Sequence, residues 1–136
     1  MTSAAEGLKA ILEGEGVFAG NWYPRIGGLG TADWCVSLID SGGRGGEVKV
    51  AIDYPSVQVL VRGSSSTGAY SATVAKAQEI YDTLMGIDTP RADWANLTSC
   101  VAISNPVWLG KDDKDRPQFS LNFRLIVTPE NVGNRT

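Results

Sequence analysis

The chain predicts an α+β domain: a single mixed or antiparallel β-sheet with helices packed on one face, closed by a long C-terminal β-hairpin. Three patterns predict it. Residues 69–85 repeat apolar side chains at helical spacing. Residues 56–62 place Val at every odd position, and residues 119–127 alternate apolar and polar side chains. An amphipathic helix and a one-sided sheet each carry a face that water disfavours, and burying the two against each other solves both problems.

Residues 4–13 form the first expected helix, with Ala5, Leu8, Ile11 and Leu12 at helical spacing and Ser3 able to cap the start. Gly14 and Gly16 end it. Residues 14–33 hold six glycines and one proline and are expected to be a loop, turning at Asn21–Pro24. Trp22 and Tyr23 either pin this loop to the core or anchor a partner. A strand is expected over Trp34–Asp40, then a flexible loop over residues 41–46, then a second strand over Glu47–Asp53 with Val48, Val50 and Ile52 on one face. These two strands are expected to pair antiparallel across the glycine loop.

Pro55 breaks the second strand and Ser56–Arg62 forms a third, with its valines inward and Gln58 and Arg62 outward. The 63–68 loop precedes the helix over 69–85, whose stripe is Tyr70, Val74, Ala77, Tyr81 and Leu84, widened by Ile80 and Met85; Gly86 stops it. Residues 87–97 connect to a strand over Ser99–Leu109 that Asn105-Pro106 interrupts. The polar turn 110–117 joins it to a strand carrying Phe119, Leu121, Phe123, Leu125 and Val127. The tail 129–136 is polar and is expected to be extended or mobile.

At 136 residues the chain suits one domain, able to bury roughly two-thirds of its unfolded surface. The net charge of −3 and the lack of any Lys/Arg run speak against a nucleic-acid binder. No apolar run reaches the length of a membrane span and no signal-peptide pattern opens the chain, so cytoplasmic synthesis is the default. Cys35 and Cys100 sit among apolar neighbours and are expected to be reduced core residues, one long-range disulfide being the alternative.

The chain has no histidine, which removes the commonest general base and metal ligand and any Ser-His-Asp or Cys-His arrangement. No catalytic, cofactor-binding or metal-binding residue is therefore assigned. The cluster Asp112, Asp113 and Asp115 lacks the spacing, glycine and terminal glutamate of a calcium loop, and Lys111, Lys114 and Arg116 neutralise it; a solvated turn fits better. Gly63–Gly68 lies between a strand and a helix, where an anion can sit, yet no lysine follows; helix capping by Ser66 or Thr67 is the simpler reading.

The stretch Tyr54-Pro55-Ser56-Val57-Gln58-Val59-Leu60-Val61-Arg62-Gly63, the tyrosine-bearing helix Tyr70–Leu84, and the closing blocks Pro106–Asp113, Arg116–Phe123 and Pro129–Arg135 together resemble the tail terminator (minor capsid) proteins of long-tailed, lambda-like bacteriophages. The resemblance covers about 80 residues in the correct order. It implies a non-enzymatic virion protein at the head-proximal end of the tail: a ring, expected to be a homo-hexamer, that caps the tail tube, ends its polymerisation and offers a surface for head–tail joining. The implied partners are further copies of the chain, the tail tube protein and a head–tail connector or stopper, with DNA only passing through the channel and no membrane. Arg62, the turn residues Asp112, Asp113, Lys114, Asp115 and Arg116, and Asn134 and Arg135 of the tail are the candidate assembly contacts. A connector or stopper, a tail tube subunit, and a small-molecule or nucleotide-binding enzyme domain centred on residues 63–68 are the alternatives.

Overall fold

Alternating apolar side chains at 119, 121, 123, 125 and 127 give the chain one strand with a wholly buried face, and the rest of the sheet is built around it. The computed structural model describes residues 3–46, 52–88 and 91–128. In chain order its elements are α1 (Ala4–Gly14), β1 (Tyr23–Ile26), β2 (Cys35–Arg44), β3 (Tyr54–Arg62), α2 (Ala69–Leu84), β4 (Leu97–Ala102), β5 (Val107–Lys111) and β6 (Pro117–Val127). The strands form one mixed sheet in the order β1-β2-β3-β6-β4, with β5 also paired to β6. β1 runs parallel to β2 and the other pairings are antiparallel.

β4 and β5 share one edge of β6. Residues 117–120 face β5 and residues 123–127 face β4. Pro106 falls in the gap between those two short strands, where its missing N–H breaks no ladder. The expected hairpin across the charged turn is thus present as β5–β6.

The register sets Leu38, Val59 and Leu121 abreast across three strands. These side chains, with Val36, Val57, Val61, Phe119, Phe123 and Leu125, join Leu8, Ile11 and Leu12 of α1 and Ala77, Ile80 and Leu84 of α2 in a single core. Both helices therefore cover the same face of the sheet, as the sequence predicts. Burying each Val, Leu, Ile or Phe among these contributes about 1.5–3 kcal/mol. α1 begins at a reciprocal cap: the Ser3 hydroxyl accepts from the Glu6 amide at 3.1 Å, and the Glu6 carboxylate accepts from the Ser3 amide at 2.9 Å.

Several expectations need correction. The strand over 34–40 does not end at the glycine loop: β2 runs to Arg44, and Gly43 stands opposite Pro55 in β3 across a bulge. A Cβ on Gly43 would lie 2.4 Å from the Tyr54 carbonyl oxygen, and its φ of +94° suits only glycine. The partner of β2 is therefore β3, which starts at Tyr54 and takes in Pro55. Residues 47–51 of the expected second strand lie outside the described residues, as does the tail from 129; Asp53 bridges to Val127. The supposed loop 14–33 contains β1.

The buried stripe of α2 is Ala69, Thr73, Ala77, Ile80 and Leu84, one residue round from the expected one; Tyr70 and Val74 are exposed. Thr73 is tolerated inside because its hydroxyl donates to the Ala69 carbonyl at 2.6 Å. Neither Ser66 nor Thr67 caps α2. Its N-cap is Gly68 in the left-handed conformation with no side-chain cap, and the Ser66 hydroxyl pairs with that of Ser64. Gly86 does stop the helix, its N–H donating to the Cys100 carbonyl at 3.0 Å.

Candidate assembly interface

The charged turn between β5 and β6 is internally braced. Asp112 accepts from the amides of Lys114 and Arg116 at 3.0 and 2.9 Å through one carboxylate oxygen, and from the Arg116 Nε at 2.9 Å through the other. Burial works to raise the Asp112 pKa, but these hydrogen bonds outweigh it and hold the carboxyl below its ordinary value. The Arg116 guanidinium is buried and reaches further, donating to the Thr31 carbonyl at 2.9 Å and to the Asp33 carboxylate at 3.0 Å. Hydrogen bonds to Asp33 first, and then to Asp112, raise its pKa and keep it charged. Asp113, Lys114 and Asp115 are left on the outer surface of the turn, with Asp115 at a φ of +63° and its carboxylate 3.6 Å from Lys111 Nζ. The turn thus separates its candidates: Asp112 and Arg116 build it, and Asp113, Lys114 and Asp115 lie on its outer surface, Asp115 beside Lys111.

Arg62 does not face solvent, contrary to the expectation from strand alternation. It is 4% exposed, and its guanidinium donates to the Gly30 carbonyl at 3.2 Å and to that of Ala32. The reason is the loop 27–33, which folds back over the end of the sheet that the helices leave bare. There Ser37 donates to the Gly27 carbonyl and the Cys35 thiol to the Leu29 carbonyl. Arg62 from β3 and Arg116 from the charged turn therefore grip one loop, whereas Asn134 and Arg135 lie outside the described residues.

Of the two loop aromatics, Trp22 packs on the core and meets Trp34 edge to face at 5.2 Å, while Tyr23 is 54% exposed. Both cysteines are buried and free. Among the described residues no group of three or more acidic or cysteine side chains is arranged to hold a metal, and no helix is long and apolar enough to cross a membrane.

Two exposed apolar surfaces escaped sequence reasoning. Tyr70, Trp108 and Phe119 form a mutual aromatic cluster with centroids 5.2–5.8 Å apart, Tyr70 and Trp108 being half-exposed. On the opposite side, a groove of about 840 Å³ runs over the open face of the sheet, lined by Ser56, Ser99, Val101, Ile103, Arg124 and Ile126 among others. Positions 118, 120, 122 and 124 of β6 signal this face, because their polar and charged side chains cannot join the core. That it stays uncovered depends on where the helices dock.

The bacteriophage tail terminator protein family matches residues 30–129, from the loop gripped by the two arginines to just past the end of β6. No curated protein sequence matches the chain. Since the family match takes in α2 and the sheet from β2 onward, the chain belongs to the bacteriophage tail terminator family, and is a structural component of a phage tail.

Proposed function

We propose that this protein closes into a homo-hexameric ring on the head-proximal end of the tail tube, ends tube polymerisation there and offers its other side to a head–tail connector or stopper. The family match over residues 30–129 carries this reading. The physical arrangement supports it. A ring subunit needs two unlike faces and a heterologous contact that closes, and this two-layer domain presents a helical face and a bare sheet face of different chemistry. Asp113, Lys114 and Asp115 project from a turn too well braced to bend away, which suits a contact with tube or connector. The mechanism is geometric and needs no catalytic group. DNA only passes through the channel, and a weakly acidic chain disfavours its sticking.

The test is electron microscopy of the purified protein, alone and with tail tubes assembled from the matching tube protein. Closed rings, and tubes that stop growing once one end is capped, are the expected result. Long tubes built from this chain itself would make it a tube subunit instead. Binding only to a connector, with no effect on tube growth, would make it a stopper.

A further inference from the structure

We propose that the open sheet face around Arg124 docks a second copy of this chain, receiving the outer face of that copy's helix α2 head to tail. This rests on the ring reading above and names the surfaces that make it.

On the open face, Ser56, Arg124 and Val101 stand abreast on β3, β6 and β4. Val101, Ile103 and Ile126 expose 44%, 52% and 37% of their surface, and no carboxylate lines the groove among the described residues. The Arg124 side chain is exposed and makes no hydrogen bond or ion pair among the described residues. At one end of the groove the Arg44 guanidinium stacks over the Tyr54 ring, 3.9 Å from its centroid. The patch thus sets one cation, Arg124, among exposed apolar side chains.

The outer face of α2 carries the opposite sign. Val74 is 37% exposed, Ala75 and Asp82 are exposed on the same side, and Glu79 beyond them is paired with Lys76 at 2.6 Å. Among the described residues Asp82 is held only by the Gln78 amide, at 2.9 Å, and so keeps carboxylate lone pairs for a partner. The two patches lie on opposite layers of the domain, because α2 covers the face that the groove does not. Each patch would meet its own sign in a two-fold pairing, which like-charge repulsion disfavours. Sheet face against helix face brings Arg124 to Asp82 and covers the exposed apolar side chains around each. Such a contact is heterologous, the kind that generates rings.

The experiment is sedimentation velocity on the full chain and three variants: Arg124→Glu, Asp82→Arg and the double variant. Both side chains are exposed, so each variant should keep the wild-type melting temperature. Each single reversal should weaken self-association by about tenfold or more, and the double variant should recover most of it. A sharper arm mixes the two single variants in equal amounts: their alternation in a head-to-tail ring pairs unlike charges at every contact and should restore the closed oligomer. A wild-type ring that both single reversals leave intact overturns the surface assignment while the ring reading stands. Intact rings that have lost only tube binding would make the groove a tube-protein site, which also overturns it. A chain that stays monomeric at every concentration, with tube ends present, overturns both.

Discussion

Arg62 on β3 and Arg116, the turn residue just before β6, both donate into the same loop: Arg62 to the carbonyls of Gly30 and Ala32, Arg116 to the carbonyl of Thr31 and the carboxylate of Asp33. Replacing Arg62 with Met keeps much of its bulk but removes the donor that ties the Gly30 and Ala32 carbonyls to the sheet. Arg62→Met should cost about 2–4 kcal/mol and release amide-exchange protection across residues 27–33. An unchanged denaturation midpoint would show that the loop does not need the guanidinium.

Asp112 links stability to acid. Its folded pKa lies below the unfolded value, so its contribution is fully present above the unfolded pKa of about 3.9 and is lost as pH falls through the folded value. Asp112→Asn should lower stability at neutral pH and flatten the acid limb of the stability profile. Urea titrations at a series of pH values check this. Parallel acid limbs for the two proteins would contradict it.

Gly7 lets Trp94 lie flat on α1. A Cβ there would sit 2.2 Å from Trp94 Cδ2. Gly7→Ala should therefore cost about 1–3 kcal/mol despite the better helix propensity of alanine. Pairing it with Trp94→Leu should recover part of that loss, and a double-mutant cycle in thermal melts measures the coupling. Additive single effects would mean that the two residues do not compete for space.

The thiols should be silent in the native protein. Burial pushes Cys100 up to about 12, and burial likewise raises Cys35 against the opposing charges of Arg62, Arg25 and Arg116. Both groups favour the folded state below the unfolded thiol pKa of about 8.5, and that contribution fades as pH rises through their folded values. Labelling with a thiol reagent at neutral pH should proceed only at the rate of unfolding. Rapid labelling of Cys100 would contradict this.

Local alternation and capping were legible in the sequence. Ser3 caps α1, the valines of β3 point inward, and β6 buries every odd-numbered side chain from 117 to 127. What failed depended on distant neighbours. Alternation correctly sets Arg62 apart from the valine face, but the loop that covers it comes from some thirty residues earlier, and nothing near position 62 announces that. In α2, Ala77 and Leu84 belong to two adjacent stripes, and hydrophobicity favours the one with Tyr70 and Val74. The core took the one with Thr73, whose hydroxyl is satisfied within its own helix, and left Tyr70 against Trp108 at the rim. The glycines at 42 and 43 signalled a turn, yet they serve a bulge, because only the paired strand reveals that β2 continues. The candidate contacts divided for the same reason: charge placed Asp113, Lys114 and Asp115 outside correctly, but gave no sign that Arg116 would turn inward toward Thr31 and Asp33.

The strand that pairs with three others, β6, is also the sixth to leave the ribosome. Until residues 117–127 emerge, β3 has a partner on one side only, and β4 and β5 have no strand to pair with. The valine face of β3 must wait for the side chains that complete its core. Folding is thereby postponed until synthesis has passed residue 127, and a nascent chain halted before that point exposes an apolar strand edge to its neighbours on the same polysome.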